Sequence, residues 1–420
     1  MVKPYSVLMG KAVRYVARLR GGGSALPGLF VEKIDKSFVK DTLAQLPHGV
    51  VLVSGTNGKT TTTKMVVELL ESQGLRVFTN RTGSNFVRGV AAALLGEVNA
   101  LGKLNADIAV LELDEAHAVH FVDRIPPKHS LLLNVMRDQL DRFGEIDTTA
   151  RMLEHIAKAT TGTVVINRED PRLAKLGATL KNVSYFGLDA NLLATFPNDD
   201  ELHGSDAPKA KQPHADVVLQ SIDDNATFII DGQPVSTSLQ LKGVYNIFNA
   251  AAALALTRTV VGTQLDQEKL IKGLSAVTPA FGRGEQLVVD GQPCELVLVK
   301  NPSGFRLSLH SFNPKDHATM IVINDNYADG RDMSWLWDVD FASLKHAGVS
   351  EVSGVRAYDM ALRLQYDEVA VSHVDTDITR SLKNFLAAQN GKPKRIYCTY
   401  TAMLALRREL GKITSVQEIS

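Results

Sequence analysis

From Gly49 onward, short β-branched runs alternate with longer stretches in which apolar residues recur at helical spacing. The run Val50, Val51, Leu52, Val53 closes at Ser54 and Gly55. Its length and lack of polar alternation predict a strand buried on both faces, as in a parallel sheet. A helix is predicted over residues 60–73, with Gly74 placed to end it in the left-handed conformation. Further strands are predicted at 77–79, 108–113, 130–134 and 163–167, with helices at 87–95 and 146–159. Strand and helix in alternation are the signature of an α/β doubly wound sheet.

Residues 198–213 are polar and carry Pro and Gly without periodicity, which predicts a surface insertion. Residues 217–220 and 227–230 then flank Asp223, Asp224 and Asn225 as the arms of a hairpin. An Ala/Leu-rich helix is expected over 249–258. Phe281, Gly282, Arg283 and Gly284 interrupt the pattern. Beyond them a smaller, Rossmann-like α/β unit is predicted, with strands at 296–299, 319–324, 368–372 and 395–399 and helices at 357–364, 378–389 and 401–410. The expected organisation is a lead-in over 1–48, a doubly wound domain over 49–285 and a C-terminal α/β domain over 286–420.

The lead-in predicts an amphipathic helix over residues 2–20. Lys11, Arg14 and Arg18 share one side, and Leu8, Ala12, Val16 and Leu19 lie near the other. Lys11 and Arg14 interrupt any signal-peptide core. Two readings stand: a helix packed on the first domain, or a peripheral contact with an anionic membrane surface.

Composition narrows the function classes. The chain has 420 residues, and its 46 Lys and Arg balance 46 Asp and Glu. With no basic stripe interleaved with aromatics, nucleic acid is not an expected partner. Cys294 and Cys398 are the only cysteines, so neither a disulfide framework nor a four-thiolate zinc site is expected. A cytoplasmic setting fits that usage. No uninterrupted apolar run reaches the ~18–20 residues of a membrane span.

The strongest chemical signal is Gly55-Thr56-Asn57-Gly58-Lys59-Thr60-Thr61-Thr62 after the first strand. A Gly-rich turn between strand and helix gathers backbone N–H groups and the positive helix end around one point, which suits phosphate oxygens. Lys59 adds a charge for β/γ-phosphates and Thr60 a hydroxyl for Mg²⁺. Val53 occupies the first Gly position of the strict eight-residue P-loop pattern, so only its second half is present. Glu112 ends a strand at the ligand edge of the sheet and can complete a Mg²⁺ shell. His117 and His120 with Asp114 and Glu115 offer a zinc alternative, against the simpler reading of two histidines on a helix surface. Asn80 to Asn85 points to the same edge. Asp325, Asp329, Asp332, Asp338 and Asp340, with Trp335 and Trp337 among them, read either as turns and caps or as a functional loop.

The phosphate-loop sequence resembles that of the Mur ligases, which join amino acids to carboxylates of peptidoglycan precursors. Asn134-Val135-Met136-Arg137-Asp138-Gln139-Leu140-Asp141-Arg142-Phe143-Gly144-Glu145-Ile146-Asp147 and the run from Asn324 to Phe341 resemble its MurT branch, the ligase-like subunit of lipid II isoglutaminyl synthase. The resemblance covers nearly the whole chain and implies a Mur-ligase-like ATP-binding domain followed by the C-terminal unit. It assigns Lys59 and Thr60 to ATP phosphates and Mg²⁺, and Glu112 to Mg²⁺. Asn246 and Asn249 correspond to asparagines that reach the base, and Arg283 to a hinge arginine near the phosphates. Tyr245 stands where the family has His, and Lys300-Asn301-Pro302 where it often has His-Asn-Pro. Asp332 corresponds to an aspartate proposed to orient the catalytic His of a partner glutaminase. The zinc ribbon of some relatives is not expected.

What this implies is amidation of the D-glutamate α-carboxyl of lipid II at the inner face of the cell membrane. The reaction runs through an acyl phosphate, with ammonia from a GatD-like glutamine amidotransferase in a heterodimer. Neither cysteine stands in a nucleophile context, so the glutaminase is expected on another chain. The alternatives are a stand-alone amino-acid ligase of muramyl-peptide or folylpolyglutamate type and a non-catalytic nucleotide-binding scaffold.

Overall fold

In the computed structural model, residues 2–19, 26–80, 87–137, 146–196, 212–223, 225–240, 243–278, 283–311, 314–315, 317–389 and 391–416 are described. Three helices lead in: α1 (Pro4–Leu19), α2 (Leu26–Ile34) and α3 (Phe38–Leu43). The chain then alternates β1 (Val50–Ser54), α4 (Lys59–Ser72), β2 (Val77–Thr79), α5 (Val87–Glu97), β3 (Ile108–Glu112), α6 (Glu115–Val122), β4 (His129–Leu132), α7 (Ile146–Ala159), β5 (Val164–Asn167), α8 (Pro171–Gly177) and β6 (Val183–Leu188). An antiparallel meander of β7 (Val217–Ile222), β8 (Ala226–Ile230) and β9 (Gln233–Thr237) precedes α9 (Val244–Val261) and α10 (Gln267–Ala276). These strands form one nine-stranded sheet in the order β2-β3-β1-β4-β5-β6-β7-β8-β9, parallel from β2 through β7.

The apolar β1 has no polar face because both faces are covered. Val50 and Leu52 enter a core with Val7, Val31, Leu94 and Phe121, and Val51 and Val53 enter a second core with Met65, Leu69 and the Ala-rich stretch of α9. Each such fully buried Val or Leu contributes about 1.5–3 kcal/mol. From β1 the chain goes to β2 on one side, and from β4 to β5 on the other. The switch point of the sheet, where ligands bind in open α/β folds, therefore lies between β1 and β4.

The second sheet opens with β10 (Arg283–Val289) and β11 (Gln292–Leu298) as an antiparallel pair. α11 (Pro302–Ser311), β12 (Ala318–Val322), β13 (Val349–Ser353), α12 (Ala357–Tyr366), β14 (Val371–Asp375), α13 (Ile378–Ala388), β15 (Lys394–Cys398) and α14 (Tyr400–Leu410) complete it, in the order β10-β11-β15-β12-β13-β14.

Several expectations change. The strand expected at 368–372 begins at Val371, because Glu368 has φ +55° and the Val369 N–H bonds back to Leu364 O, closing α12. β13, bracketed by Gly348 and Gly354, was not expected. α9 is long and apolar enough by composition to cross a membrane. It lies instead against the sheet with Phe248 and Ala250 to Thr257 buried. Helix α1 packs on the first domain through Ser6, Val7 and Gly10, whereas Leu8, Ala12 and Val16 are exposed. Lys11 Nζ donates to Val98 O at 2.6 Å, so it lies against the domain. The Arg18 and Leu19 side chains and residues 81–86, 138–145 and 197–211 lie outside the described residues.

Candidate functional site

The turn after β1 is set by two close approaches. Gly58 has φ +87°, and a Cβ there would lie 2.8 Å from Asn249 Oδ1, so only glycine fits. A Cβ on Gly55 would lie 3.0 Å from Asn134 N. Across the switch point, the turn is tied to the end of β4. Thr56 N–H donates to Asn134 O (3.1 Å), Asn57 N–H to Asn134 Oδ1 (2.9 Å), and Asn134 Nδ2 to Asn57 O (3.0 Å). Thr56 Oγ1 accepts from Met136 N–H at 3.1 Å.

Lys59, buried at the start of α4, donates to Gly55 O (2.5 Å) and Thr56 O (3.3 Å), and Glu115 Oε2 lies 3.4 Å from its Nζ. Next to it, Thr60 Oγ1 donates to Glu112 Oε1 at 2.8 Å. Asn80 holds Glu112 in place through both backbone groups, accepting from its N–H (3.0 Å) and donating to its C=O (2.8 Å). A hydroxyl and a carboxylate so placed are hard oxygen donors of the kind Mg²⁺ takes alongside phosphate oxygens and water. The zinc alternative fares differently: His117 and His120 stay on α6, His120 is exposed, and Glu115 faces Lys59.

The C-terminal domain closes over this turn. Lys300 Nζ lies 3.5 Å from Thr56 O, Asn301 Nδ2 donates to Asn57 Oδ1 at 3.2 Å, and Ser303 Oγ donates to Arg137 O at 3.2 Å. Asn301 Oδ1 also accepts from Gly304 N–H (2.7 Å), fixing the start of α11. Between the domains is a cavity of about 170 Å³, lined among others by Asn57, Asn134, Phe186, Tyr245, Asn249 and Lys300. Thr61 and Asn246 also reach it. The buried Tyr245 hydroxyl has no hydrogen-bond partner among the described residues, and burial holds its pKa above the ordinary tyrosine value. The arrangement is a glycine-bearing turn at a helix start, of the kind that suits phosphate oxygens, at one end of a cavity with aromatic walls.

Asp332 lies elsewhere, on the loop after β12, where it accepts from Ser334 N–H at 2.9 Å. Its neighbours divide: Asp329 staples the loop to Thr401 (2.7 Å to N, 2.5 Å to Oγ1), and Asp325 pairs with Arg356 at 2.7 Å. Asp340 caps Ala342 N–H at 2.8 Å. Trp335 is buried beside Phe305, while Trp337 stands half exposed and edge-on to Tyr366. Arg283 opens β10, and its side chain is outside the described residues.

Comparison with known proteins resolves which family builds such a junction. Residues 53–257 match the Mur ligase middle domain, and residues 298–403 match the MurT ligase C-terminal domain. The lipid II isoglutaminyl synthase (glutamine-hydrolyzing) subunit MurT of Streptococcus pneumoniae (strain ATCC BAA-255 / R6) is 33% identical, over 96% of this chain and 96% of that protein. The chain belongs to the MurT family. The fold is that of the Mur ligases. A pseudomurein peptide ligase type C from Methanothermus fervidus superposes with a TM-score of 0.70 at 18% identity, covering 90% of this chain and 81% of that one. MurF ligase from Thermotoga maritima, solved in complex with ADP, gives 0.68 at 19% identity, with 90% and 83% covered.

For a MurT-family chain, the structure gives four site residues contacts that the sequence did not assign them. Asn134 was legible as the end of a strand and the start of a family-like motif, yet its part in locking the turn after β1 was not. Glu115 is the carboxylate facing Lys59, and its signal was its place three residues beyond Glu112. Lys300 and Asn301 come from about 240 residues away in the chain, a separation no local pattern spans.

Proposed function

We propose that this chain is the ATP-consuming subunit of an enzyme that converts the D-glutamate α-carboxyl of lipid II to the amide of D-isoglutamine. The observation that carries the reading is the junction: the turn after β1 and the Lys300–Asn301 turn meet at one cavity, with the Thr60–Glu112 oxygen pair on the adjoining residues, in a chain matched along 96% of its length to a MurT subunit. ATP lies with its phosphates at Gly55 to Thr61 and its base toward Asn246, Asn249 and the Tyr245 hydroxyl. Lys59 leaves the carbonyls it now bonds and turns to the β/γ-phosphates. Thr60 and Glu112 are the residues that hold Mg²⁺, which supplies neutralisation of phosphate charge. Arg283 serves as the hinge arginine near the phosphates. A substrate carboxylate oxygen attacks the γ-phosphorus, ADP leaves, and the resulting acyl phosphate takes ammonia at its carbonyl carbon and releases inorganic phosphate.

Ammonia comes from a second chain. Cys294 and Cys398 are fully buried on neighbouring strands, and burial pushes the Cys294 thiol up to about 12 and raises that of Cys398 further, so neither is a thiolate nucleophile. A GatD-like glutaminase docks on the C-terminal domain, where Asp332 orients its histidine. Exposed Trp337, Tyr358, Leu362 and Tyr366 supply the apolar anchors that interface cores favour. The complex works in the cytoplasm, at the membrane face that presents lipid II. The test is to incubate the purified pair with lipid II, ATP, Mg²⁺ and glutamine. Mass spectrometry is expected to show the small decrease that exchanging a hydroxyl for an amino group produces. Unchanged substrate overturns the reading, and a gain of a whole amino-acid residue without the partner identifies a stand-alone ligase.

A further inference from the structure

The helix α1 is inverted relative to ordinary surface helices. Its small residues face the protein: a Cβ on Gly10 would lie 2.3 Å from Val31 Cγ2 and 2.9 Å from Leu95 Cδ1, and Ser6 is fully buried. Its large apolar residues face outward. Tyr5, Leu8, Met9, Tyr15 and Val16 are 46–67% exposed, and with Ala12 they recur at helical spacing along one side. Leu101, next to Gly102 at the start of the helix, is also exposed, at 74%. So many large apolar side chains on one helix face mark an interaction surface rather than scattered surface residues.

We infer that this face is the element by which the enzyme lies on an anionic lipid bilayer, with α1 in the plane of the headgroups. Charge selects that occupant. Residues 1–40 hold eight Lys and Arg against two Asp and Glu, a net +6, and the other 380 residues carry −6. The positive charge is thus concentrated in the segment that bears the apolar strip, the pairing that interfacial helices use on anionic lipid. Tyr5 and Tyr15 are amphipathic side chains of the kind that settle at the membrane–water boundary. The inference rests on the lipid II reading, since it explains how the chain meets a lipid-bound carboxylate. It adds the surface that does so.

The test uses the full chain with its glutaminase and vesicles of equal phosphatidylglycerol and phosphatidylethanolamine, with phosphatidylcholine vesicles as control. The wild type is expected to co-sediment with the anionic vesicles and far less with the control. The double variant Leu8→Glu, Tyr15→Glu changes two exposed positions, and circular dichroism checks that it folds. It is expected to bind anionic vesicles about tenfold or more weakly. It is also expected to amidate vesicle-borne lipid II correspondingly slowly and detergent-solubilised lipid II at the wild-type rate. Equal vesicle binding by variant and wild type, or no binding by either, overturns the inference. So does a wild-type dimer without lipid that the variant dissolves, because the occupant is then a second copy. Failure of the wild-type pair to amidate lipid II in detergent overturns the amidation reading instead, and leaves the vesicle result to be judged alone.

Discussion

Lys59 bonds two carbonyls of its own turn and faces Glu115, so under the proposed function a positive charge is already held beside the turn that takes the triphosphate. Removing it as Lys59→Ala is expected to lower kcat for amidation about a hundredfold or more, because a charge aimed at the developing phosphate negative charge is lost. A scaffold role predicts unchanged turnover, so steady-state kinetics of the assembled pair separates the two. Tyr245 allows a finer test. Its buried hydroxyl lacks a partner among the described residues, and Tyr245→Phe is expected to raise KM for ATP roughly two- to tenfold, the worth of one hydrogen bond. Asp332→Asn belongs with the partner: glutamine-driven amidation is expected to fall roughly a thousandfold or more, with ATP binding and ammonium-driven amidation retained. Loss of the ammonium-driven reaction as well would remove Asp332 from a role in the glutaminase.

Elements were legible where period and punctuation agreed. β1, α4 and the hairpin of β7 and β8 follow from an apolar run, a Gly stop and an Asx-rich turn. β14 was misplaced because Val369, β-forming by type, follows Glu368 at positive φ and bonds back to Leu364 O at the end of α12. The direction of α1 was not legible at all, since periodicity reports that a face exists and not what it meets. Its support rests on close packing at α2, where a Cβ on Gly28 would lie 2.0 Å from Arg88 O. Gly28→Ala is therefore expected to destabilise by about 1–3 kcal/mol, measurable by urea unfolding. On β4, burial and the neighbouring Lys128 lower the pKa of His129 from 6.5 to about 4. A histidine kept neutral in the fold contributes stability above pH 6.5 that is lost as pH falls toward 4. Between pH 7 and pH 5 the loss is expected to be about 2 kcal/mol. His129→Asn is expected to show that much less dependence in unfolding at the two pH values.

At the scale of the molecule, the site is a contact between two domains, made by Lys300 and Asn301 from one and Thr56 and Asn57 from the other. A nucleotide bridging them stabilises both, by about 2.7 kcal/mol at a hundredfold excess over Kd. The thermal midpoint is expected to rise with ATP, and Lys300→Ala to shrink that rise. An unchanged rise would place Lys300 outside nucleotide contact.

The sequence by itself determined the doubly wound class, the glycine-bearing turn after β1 and the family, because strand burial, glycine stops and contiguous motifs are written in neighbouring residues. The tertiary structure alone decided that Asn134 locks the turn, that the Lys300 turn closes on it and that α1 turns its apolar side to solvent. Each of these depends on which distant surfaces meet. Local propensity fixes φ and ψ and the spacing of a face, while the partner of that face is chosen by packing across the chain.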